Sequence, residues 1–311
     1  MRDLIHLFFV NSYAGKGRFS TQIREYLSTR TDIEYYIVHT RDSESVSELV
    51  RFMLSIFEGE KIRIYSCGGS GTLCRILNGI ESFENIEIAF YPKGLTNDFL
   101  KIFKGNDEKF KNLEALIDGK PKMVDLIRTN HGVCINSLSV GLDSLHTEKY
   151  NKLKYTSIIG RSVPYTLGLI NAVFFGKPAE YEIELDSFKF RGKCTQIVLT
   201  NGGLFGGNMW VDTDMSPNPA DGKCAYVVFD AVHGLAMIPQ INLMTHGNVI
   251  RSKKAHIGYT SKIRIKRTDG KPFAMSFDGE LQEKHTEWNG QVVASCVPFV
   301  VPKGVEFKCQ I

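Results

Sequence analysis

The chain has 311 residues, of which 43% are hydrophobic and 23% are charged, a balance that excludes a disordered chain or a coiled coil. Its length favours two domains over one. The 38 basic and 34 acidic residues leave a formal net charge of +4 without a dense Lys/Arg block, which argues against a nucleic-acid partner.

Strands and helices are predicted to alternate over residues 1–126. Short apolar, β-prone runs are each followed by a glycine or a polar residue and then by apolar residues at helical spacing. These predicted strands are 5–10, 34–40, 61–66 and 86–91. Such alternation predicts a mainly parallel α/β sheet that binds ligands where strands end and helices begin.

Residues 127–311 are predicted to be β-rich. The apolar and aromatic stretch 155–175 interrupts the strands and predicts a helix or helix pair, with Pro164 at its start or at a kink. We interpret it as a core helix, with contact to lipid as the alternative. The last residues of the chain could pack back on the first domain. The strands predicted in this half are 132–141, 181–190, 195–199, 225–229, 262–266 and 273–277.

Glycine-containing turns follow four of the predicted strands. In the first, residues 11–18, backbone N–H groups and two cations stand at a helix start, which favours an anion, although an ordinary loop explains it equally well. The second, residues 68–72, combines three glycines, where a Cβ would keep a phosphate from the backbone, with Thr72 as the predicted helix cap. A purely structural tight turn is the alternative. Neither turn matches the P-loop GxxxxGKS/T or the GxGxxG pattern.

The third and fourth turns carry carboxylates. The third follows the fourth predicted strand and contains Gly94, Asn97 and Asp98, where helix capping alone could explain the two polar residues. The fourth places Asp278 and Glu280 at the end of a strand in the β-rich half, where a hairpin bend is the alternative.

The cysteines and the apolar runs indicate the cellular setting. The seven cysteines are scattered and form no CxxC pair, which argues against a disulfide framework and a zinc site. No apolar run approaches the roughly 18–20 residues that span a bilayer, and the chain opens on Arg2 and Asp3, unlike a signal peptide. We expect a soluble, cytoplasmic protein with reduced thiols.

The motifs, taken in chain order, are more specific than any one of them. They read VNSYAGKGR, CGGSGTLCRILNG, YPKGLTNDF, MVDL, INSLSVGLDS, NGGLFGGNM, PNPADGK and FDGE. Together they resemble the diacylglycerol kinase catalytic family, which also includes sphingosine and ceramide kinases and is distantly similar to NAD kinases. The resemblance spans nearly the whole chain.

The resemblance implies a fold and an activity. It implies an α/β nucleotide-binding domain over 1–126 and a β-sandwich-like lipid-substrate domain over 127–311. ATP would be held by the first three turns, and its γ-phosphoryl group would pass to a lipid hydroxyl, first of all that of diacylglycerol, in phospholipid biosynthesis. Phosphoryl transfer needs positioned phosphates, Mg²⁺ and a base near the hydroxyl. Peripheral membrane association is expected, and the oligomeric state stays open, a homodimer included.

The resemblance also implies roles for individual residues. Asp98 and Asp125 would order water and Mg²⁺, Asp278 would be the general base, and Glu280 would orient metal or nucleotide. Asp221, in PNPADGK, would belong to a structural metal site whose oxygen shell suits Mg²⁺. The residues expected to contact the nucleotide are Asn11, Lys16, Gly68, Gly69, Ser70, Gly71, Thr72, Gly94 and Asn97.

Four positions depart from the family pattern. The family turn GGDGT has Ser70 in place of its aspartate, and losing one preorganised charged group typically costs about 10²–10³ in rate. Leu95 replaces a hydroxyl residue, and Ser12 stands where proline is common. Arg75 replaces a glutamate and could contact phosphate directly, or be an exposed helical arginine.

Two further functions therefore stay open beside an active lipid kinase. The first is a catalytically impaired homologue that senses a lipid or a nucleotide. The second is a kinase of a soluble alcohol, such as a nucleotide or a sugar. NAD kinase itself is disfavoured, because INSLSVGLDS and NGGLFGGNM match the lipid branch.

Overall fold

The computed structural model describes residues 4–11, 18–40, 46–94, 97–103, 107–153, 162–207, 209–211 and 218–305. These residues fall into two compact units. The first unit contains the chain up to Val124 together with residues from Ser295 onward, and the second contains Asp125–Ala294.

The first unit has four parallel strands in the order β4-β3-β1-β2. Strand β3 is buried along its whole length, and the ring of Phe8 stacks on that of Tyr65 at 4.1 Å between centroids. All four strands were predicted, and the parallel α/β sheet is confirmed. Their bounds are β1 (Ile5–Asn11), β2 (Glu34–Thr40), β3 (Ile62–Gly68) and β4 (Ile86–Pro92).

The helices of the first unit follow the strands. They are α1 (Arg18–Leu27), α2 (Val46–Ile56), α3 (Ser70–Leu77) and α4 (Leu113–Ile117), with 3-10 helices at Asp98–Phe103 and Asp107–Lys111.

One predicted cap is wrong. Helix α3 begins at Ser70, so Thr72 lies inside its first turn, and Gly69 occupies the N-cap position without a side-chain hydrogen bond. The helix starts earlier than expected because Gly69 adopts the extended backbone that an N-cap requires, with φ −98° and ψ 179°.

The second unit is built mainly from antiparallel strands. Strand β9 pairs with β7, β8 and β12, and β14 pairs with β8 and β17. Residues of β5 and β17 fall in both units. The strands from β5 onward are β5 (Lys120–Thr129), β6 (Gly132–Cys134), β7 (Ser137–Gly141), β8 (Ala179–Leu185), β9 (Lys189–Thr200), β10 (Leu204–Phe205), β11 (Met209–Trp210), β12 (Cys224–Asp230), β13 (Ala255–Thr260), β14 (Lys262–Arg267), β15 (Ser276–Phe277), β16 (Glu280–Leu281) and β17 (Glu287–Val301).

Three helices and two 3-10 helices complete the second unit. They are α5 (Leu142–Leu153), α6 (Ser162–Phe175) and α7 (Met237–Thr245), with 3-10 helices Gly234–Ala236 and Val249–Arg251. Helix α6 corresponds to the predicted apolar helix. Pro164 lies in its first turn, where a backbone N–H would have no acceptor within the helix, so proline does not break the helix there. Residues 155–161 of that prediction lie outside the described residues.

Two predicted strands are each divided in the structure. Residues 181–190 form a hairpin, in which the N–H of Leu185 donates to the carbonyl of Phe188 at 2.8 Å. Residues 132–141 break between β6 and β7 at Ile135 and Asn136, because their N–H groups bind a side chain instead of a neighbouring strand. Of 273–277, only the last two residues form a strand, β15.

The described cysteines are all free thiols, and five of the six are buried. Among the described residues no helix is both long enough and apolar enough to cross a bilayer.

Candidate functional site

The ends of β3 and β4 bring two glycine turns into contact. The N–H of Lys93 donates to the carbonyl of Gly68 at 2.6 Å. A Cβ built on Gly94 would lie 2.8 Å from the Cα of Gly69, closer than real Cβ contacts allow. The two backbones therefore touch, and position 94 has room only for glycine.

The start of α3 leaves backbone donors available. The N–H of Thr72 is the first in the helix to reach an acceptor, the carbonyl of Gly69 at 2.9 Å. The N–H groups of Ser70 and Gly71 therefore have no acceptor within the helix. With the positive end of the helix dipole they favour an anion such as a phosphate.

The side chain of Thr72 holds the glycine turn at Gly68 in place. Its hydroxyl oxygen accepts a hydrogen bond from the Asn11 amide at 3.1 Å and would lie 2.5 Å from a Cβ on Gly68. The structure thus brings Asn11, Gly68 and Thr72 together, and their role in binding a nucleotide stays a prediction. Lys16 and Leu95 lie outside the described residues.

Asp98 begins the 3-10 helix Asp98–Phe103, and Asn97 lies just before it. Asn97 has a left-handed backbone with φ 51°, which asparagine tolerates, and its amide donates to the Gly94 carbonyl at 3.2 Å. Its Oδ1 is buried and has no hydrogen-bond partner among the described residues. A buried acceptor left unpaired costs about 1–3 kcal/mol, so a ligand N–H or O–H would be bound favourably there.

Arg75 lies in the last turn of α3, and its side chain is half-buried. It lies five positions after Ser70, about 7.5 Å along the helix axis. The proposed contact between Arg75 and a phosphate stays a prediction.

In the second unit, backbone donors converge on Asp278. Its Oδ1 accepts from the N–H groups of Asn136 at 3.1 Å and Ser137 at 2.7 Å, and its Oδ2 accepts from Ile135 at 2.9 Å. Asp278 itself has a left-handed backbone with φ 49° in the turn between β15 and β16. Glu280, the first residue of β16, is half-buried.

The environment of Asp278 moves its pKa upward. Burial raises the pKa of its carboxyl to about 6 from 3.8, while the three N–H donors act in the opposite direction. The residue is 8% exposed. A carboxyl that titrates near neutral pH is suited to accept a proton.

Asn136 and Asn201 connect the polar groups of this unit. The Asn201 amide donates to the carbonyls of Ile135 at 3.1 Å and Asp125 at 3.2 Å, and its N–H donates to the carbonyl of Asn136 at 2.6 Å. The Oδ1 of Asn201 is buried without a partner among the described residues. Sequence reasoning assigned neither asparagine a role. Asn136 is the second residue of the INSLSVGLDS motif and Asn201 is the first residue of NGGLFGGNM, which was the available signal.

Asp125 holds the turn that carries Asp221. Asp125 is fully buried, its Oδ2 accepts from the N–H of Gly222 at 2.6 Å, and its own N–H donates to the carbonyl of Pro219 at 2.6 Å. Asp221 is exposed, and its Oδ1 accepts from the N–H of Lys223 at 2.9 Å. One oxygen of Asp125 is therefore already committed to the backbone, and the metal roles of both aspartates stay predictions.

The side chains that could bind Mg²⁺ match its needs only in part. Within the described part of the chain, no three His, Cys, Asp or Glu side chains could hold a metal ion together. Mg²⁺ in phosphoryl transfer is commonly bound by one or two carboxylates with waters and substrate phosphates, which needs no such cluster. Asp98 supplies a carboxylate next to Asn97, whereas Ser70 supplies only a hydroxyl.

An apolar cavity lies in the second unit. It has a volume of about 30 Å³ and two polar lining side chains, His146 and Gln196. Its apolar wall includes Leu142, Ala172, Phe205, Met237, Ile241 and Met244. Gln196 is the strand partner of Gly141, at the end of the same β7 whose first residue binds Asp278.

Two family models match the chain. The diacylglycerol kinase catalytic domain matches residues 6–129, and the YegS C-terminal NAD kinase beta sandwich-like domain matches residues 136–301. The second match alone covers more than half of the chain. Together they confirm the predicted pairing of an α/β domain with a β-sandwich-like domain.

Individual relatives agree with the family models. The diacylglycerol kinase of Bacillus subtilis (strain 168) is 26% identical over 220 residues, 70% of each chain. A Staphylococcus aureus (strain JH9) protein named "Putative lipid kinase" is 27% identical over 176 residues, so the match spans about half of its length, 54%. A crystal structure of "a putative diacylglycerol kinase" from Bacillus anthracis covers 97% of this chain and 98% of its own, with a TM-score of 0.71 and 18% identity.

Proposed function

The chain belongs to the diacylglycerol kinase family, and on that premise we propose that it transfers the γ-phosphoryl group of ATP to a lipid hydroxyl, with diacylglycerol as the first candidate acceptor. The observation that supports this most is the backbone contact between the turns of Gly69 and Gly94, beside the N–H groups of α3 that have no acceptor within the helix. Such a cradle suits the phosphates of a nucleotide.

In this proposal the first unit binds ATP. The N–H groups of Ser70 and Gly71 donate to phosphate oxygens, Thr72 and Asn11 keep the turn in place, and the buried Oδ1 of Asn97 accepts from the base or the ribose. When Mg²⁺ is bound, it offsets the negative charge of the phosphates. Asp98 would hold it, with most of its remaining ligands coming from phosphate and water.

Asp278 is the proposed general base. It accepts the proton of the lipid hydroxyl as that oxygen attacks the γ-phosphorus, and ADP leaves with the bridging oxygen. The three backbone donors hold the carboxylate in one orientation, and Glu280 orients the metal or the nucleotide. Asn136 and Asn201 position the backbone that binds Asp278.

The apolar cavity supports a lipid acceptor over a soluble alcohol. Its lining is apolar apart from His146 and Gln196, so it would contact the apolar part of a lipid, and apolar burial contributes roughly 25 cal/mol per Å². A sugar or nucleotide would leave its hydroxyl groups unpaired against such walls.

A second function is favoured by Ser70. Because this residue carries no charge where the family has an aspartate, the protein could bind lipid or nucleotide as a sensor without turnover. Incubating the protein with labelled ATP, Mg²⁺ and a panel of diacylglycerol, sphingoid and soluble alcohols separates the proposals. A phosphorylated lipid supports the kinase, and nucleotide binding without any product from folded protein supports the sensor.

The substitution Gly94→Ala is expected to weaken ATP binding by at least about tenfold, since it forces two touching backbones apart. Its Cβ would meet the Asn97 Oδ1 at 2.6 Å as well as Gly69. Isothermal titration with a non-hydrolysable ATP analogue measures the effect. Gly270→Ala is the control for an added methyl group, because a Cβ at Gly270 would meet no atom within 4 Å. The backbone of Gly270 has φ +69°, so alanine is strained there. Unchanged affinity in Gly94→Ala would contradict the cradle.

Activity is expected to depend on pH through Asp278. Since its pKa is raised to about 6, kcat/KM should rise about tenfold per pH unit below 6 and level off above it. The folded state holds this proton more tightly than the unfolded state, so the free energy of unfolding should fall as pH rises from about 4 to about 6. Urea unfolding across that range checks the second effect, which Asp278→Asn should remove.

A further inference from the structure

An open cavity of about 350 Å³ lies in the first unit, beside α1 and the start of α4. We call it the α1 cavity. Its volume is within the range of about 300–1,000 Å³ that is usual for small-molecule sites. Helix α1 supplies three of the lining residues, β4 supplies one, and residues 111–114 supply four. None of them belongs to the residues assigned above to nucleotide, metal or lipid.

The floor of the α1 cavity is apolar and aromatic. Ile23 of α1 and Leu113 of α4 are buried, and Tyr91 of β4 is half-buried. The ring of Tyr91 stacks on that of Phe19, with 5.1 Å between the centroids. Tyr26 adds a second half-buried ring to the lining. Such walls bind a flat aromatic ligand through stacking and apolar contacts.

The polar groups of the α1 cavity have hydrogen-bonding capacity to spare. Among the described residues, the Gln22 carboxamide and the Tyr91 hydroxyl make no hydrogen bond. Burial raises the pKa of Tyr91, so its hydroxyl stays protonated and can donate. The Oδ1 of Asn112 caps α4 by accepting from the N–H of Ala115 at 3.0 Å, which leaves the NH₂ group of Asn112 for a ligand. A ligand that both donates and accepts would satisfy these groups.

The charges around the α1 cavity disfavour an anion. Lys111 forms an ion pair with Glu108, and Glu114 places a second carboxylate at the cavity. One cation beside two carboxylates leaves a negative balance, which repels a phosphate group. An uncharged ligand therefore fits better than a nucleotide.

From these observations we propose that the α1 cavity is a second ligand site, which takes an uncharged purine nucleoside of the adenosine type. A carboxamide pairs with the donor and acceptor on the N6/N7 edge of adenine, and Gln22 supplies that group. The same edge of guanine carries two acceptors and would leave the Gln22 oxygen unpaired. The tyrosine rings stack on the base, and the ribose hydroxyls reach Asn112 and Tyr91.

The floor of the α1 cavity is joined to the glycine turns. The ammonium of Lys93 lies 5.1 Å from the centroid of the Phe19 ring that stacks on Tyr91. The backbone N–H of Lys93 is also the donor to the carbonyl of Gly68. Adenosine in the cavity should therefore change the affinity of the glycine turns for ATP, by about fivefold or more. This coupling rests on the proposed function, whereas adenosine binding does not.

Isothermal titration of the full chain with adenosine, without ATP, tests the proposal. Adenosine should bind, and guanosine should bind at least about fivefold more weakly. Gln22→Ala should weaken adenosine binding by at least about fivefold and remove the preference over guanosine. Thr21→Ala is the matched control, because Thr21 is the preceding exposed residue of α1 and does not line the cavity. Circular dichroism checks that both variants are folded.

The second set of titrations separates the α1 cavity from the glycine turns. Adenosine should still bind to protein that is saturated with a non-hydrolysable ATP analogue. Displacement of adenosine by the analogue, or wild-type affinity in Gln22→Ala, would overturn the site, and so would the absence of binding at millimolar adenosine. An affinity for the analogue that adenosine leaves unchanged would overturn the coupling.

The same data keep this inference apart from the proposed function. If adenosine binding depends on Gln22 but the ATP analogue does not bind, the α1 cavity stands as a site and the kinase proposal fails. If the analogue binds and a lipid is phosphorylated while adenosine does not bind, the kinase proposal stands and the α1 cavity is not a nucleoside site.

Discussion

Replacing Asp278 by asparagine is expected to lower phosphoryl transfer by about 10³-fold or more. The amide cannot accept the proton of the attacking hydroxyl. It also presents an NH₂ group to backbone N–H donors that now bind a carboxylate oxygen, those of Ile135 or of Asn136 and Ser137. Initial rates with saturating ATP and a dispersed short-chain diacylglycerol measure the loss.

Because the same carboxylate holds the backbone, Asp278→Asn is also expected to destabilise the fold by about 1–3 kcal/mol. Asp186→Asn is the matched control, since Asp186 accepts from the N–H of Ser261 at 2.6 Å and from its hydroxyl at 2.9 Å in the same unit. That variant should lose stability and keep its rate. A folded Asp278→Asn protein that works within tenfold of the wild type would remove Asp278 from the base role.

The substitution Ser70→Asp is expected to raise turnover by about 10²–10³-fold, because it returns a charge to the position where the family turn has one. The residue is the first of α3, where a carboxylate also favours the helix by about 0.3–1 kcal/mol. Phosphorylation of diacylglycerol with ATP and Mg²⁺ is the measurement. Ser70→Asn has nearly the same shape without the charge, and it should leave turnover as it is.

The outcome of this comparison separates the two functions. A wild type that binds nucleotide without turnover, together with an active Ser70→Asp, indicates a sensor that has lost one catalytic group. An active wild type that Ser70→Asp leaves unchanged shows that the charge is supplied elsewhere in the site. Inactivity of both proteins with every acceptor would count against the kinase proposal.

Local sequence patterns were sufficient for the four parallel strands of the first unit. Each of its strands is a short apolar run ended by a glycine, a proline or a polar residue, and the period of two or of 3.6 residues is encoded within a few positions. The same local signal located the turn at Gly68. It misplaced the start of α3. The hydroxyl of Thr72 is of the kind that caps helices, but Gly69 is the residue that adopts the extended backbone of an N-cap.

Such local patterns could not predict contacts between positions that are far apart in the sequence. Apolar alternation could not show that 181–190 turns back on itself, or that Ile135 and Asn136 leave their strand to bind Asp278, more than 140 residues later. It could not assign Asn201 to the backbone of Asp125, since an asparagine in a glycine-rich segment is equally typical of a turn.

The sequence by itself determined the two-part organisation, the parallel sheet, the positions of the glycine turns and, through the order of its motifs, the family. Only the tertiary structure decided that Gly69 and Gly94 touch, that Asp125 is committed to the Gly222 turn, and that α6 turns its bulky side chains outward. The physical reason is how far apart in the sequence the determining residues lie. Secondary structure follows from neighbouring residues, whereas the partner of a buried carboxylate or the exposed side of a helix depends on which distant segments pack against it.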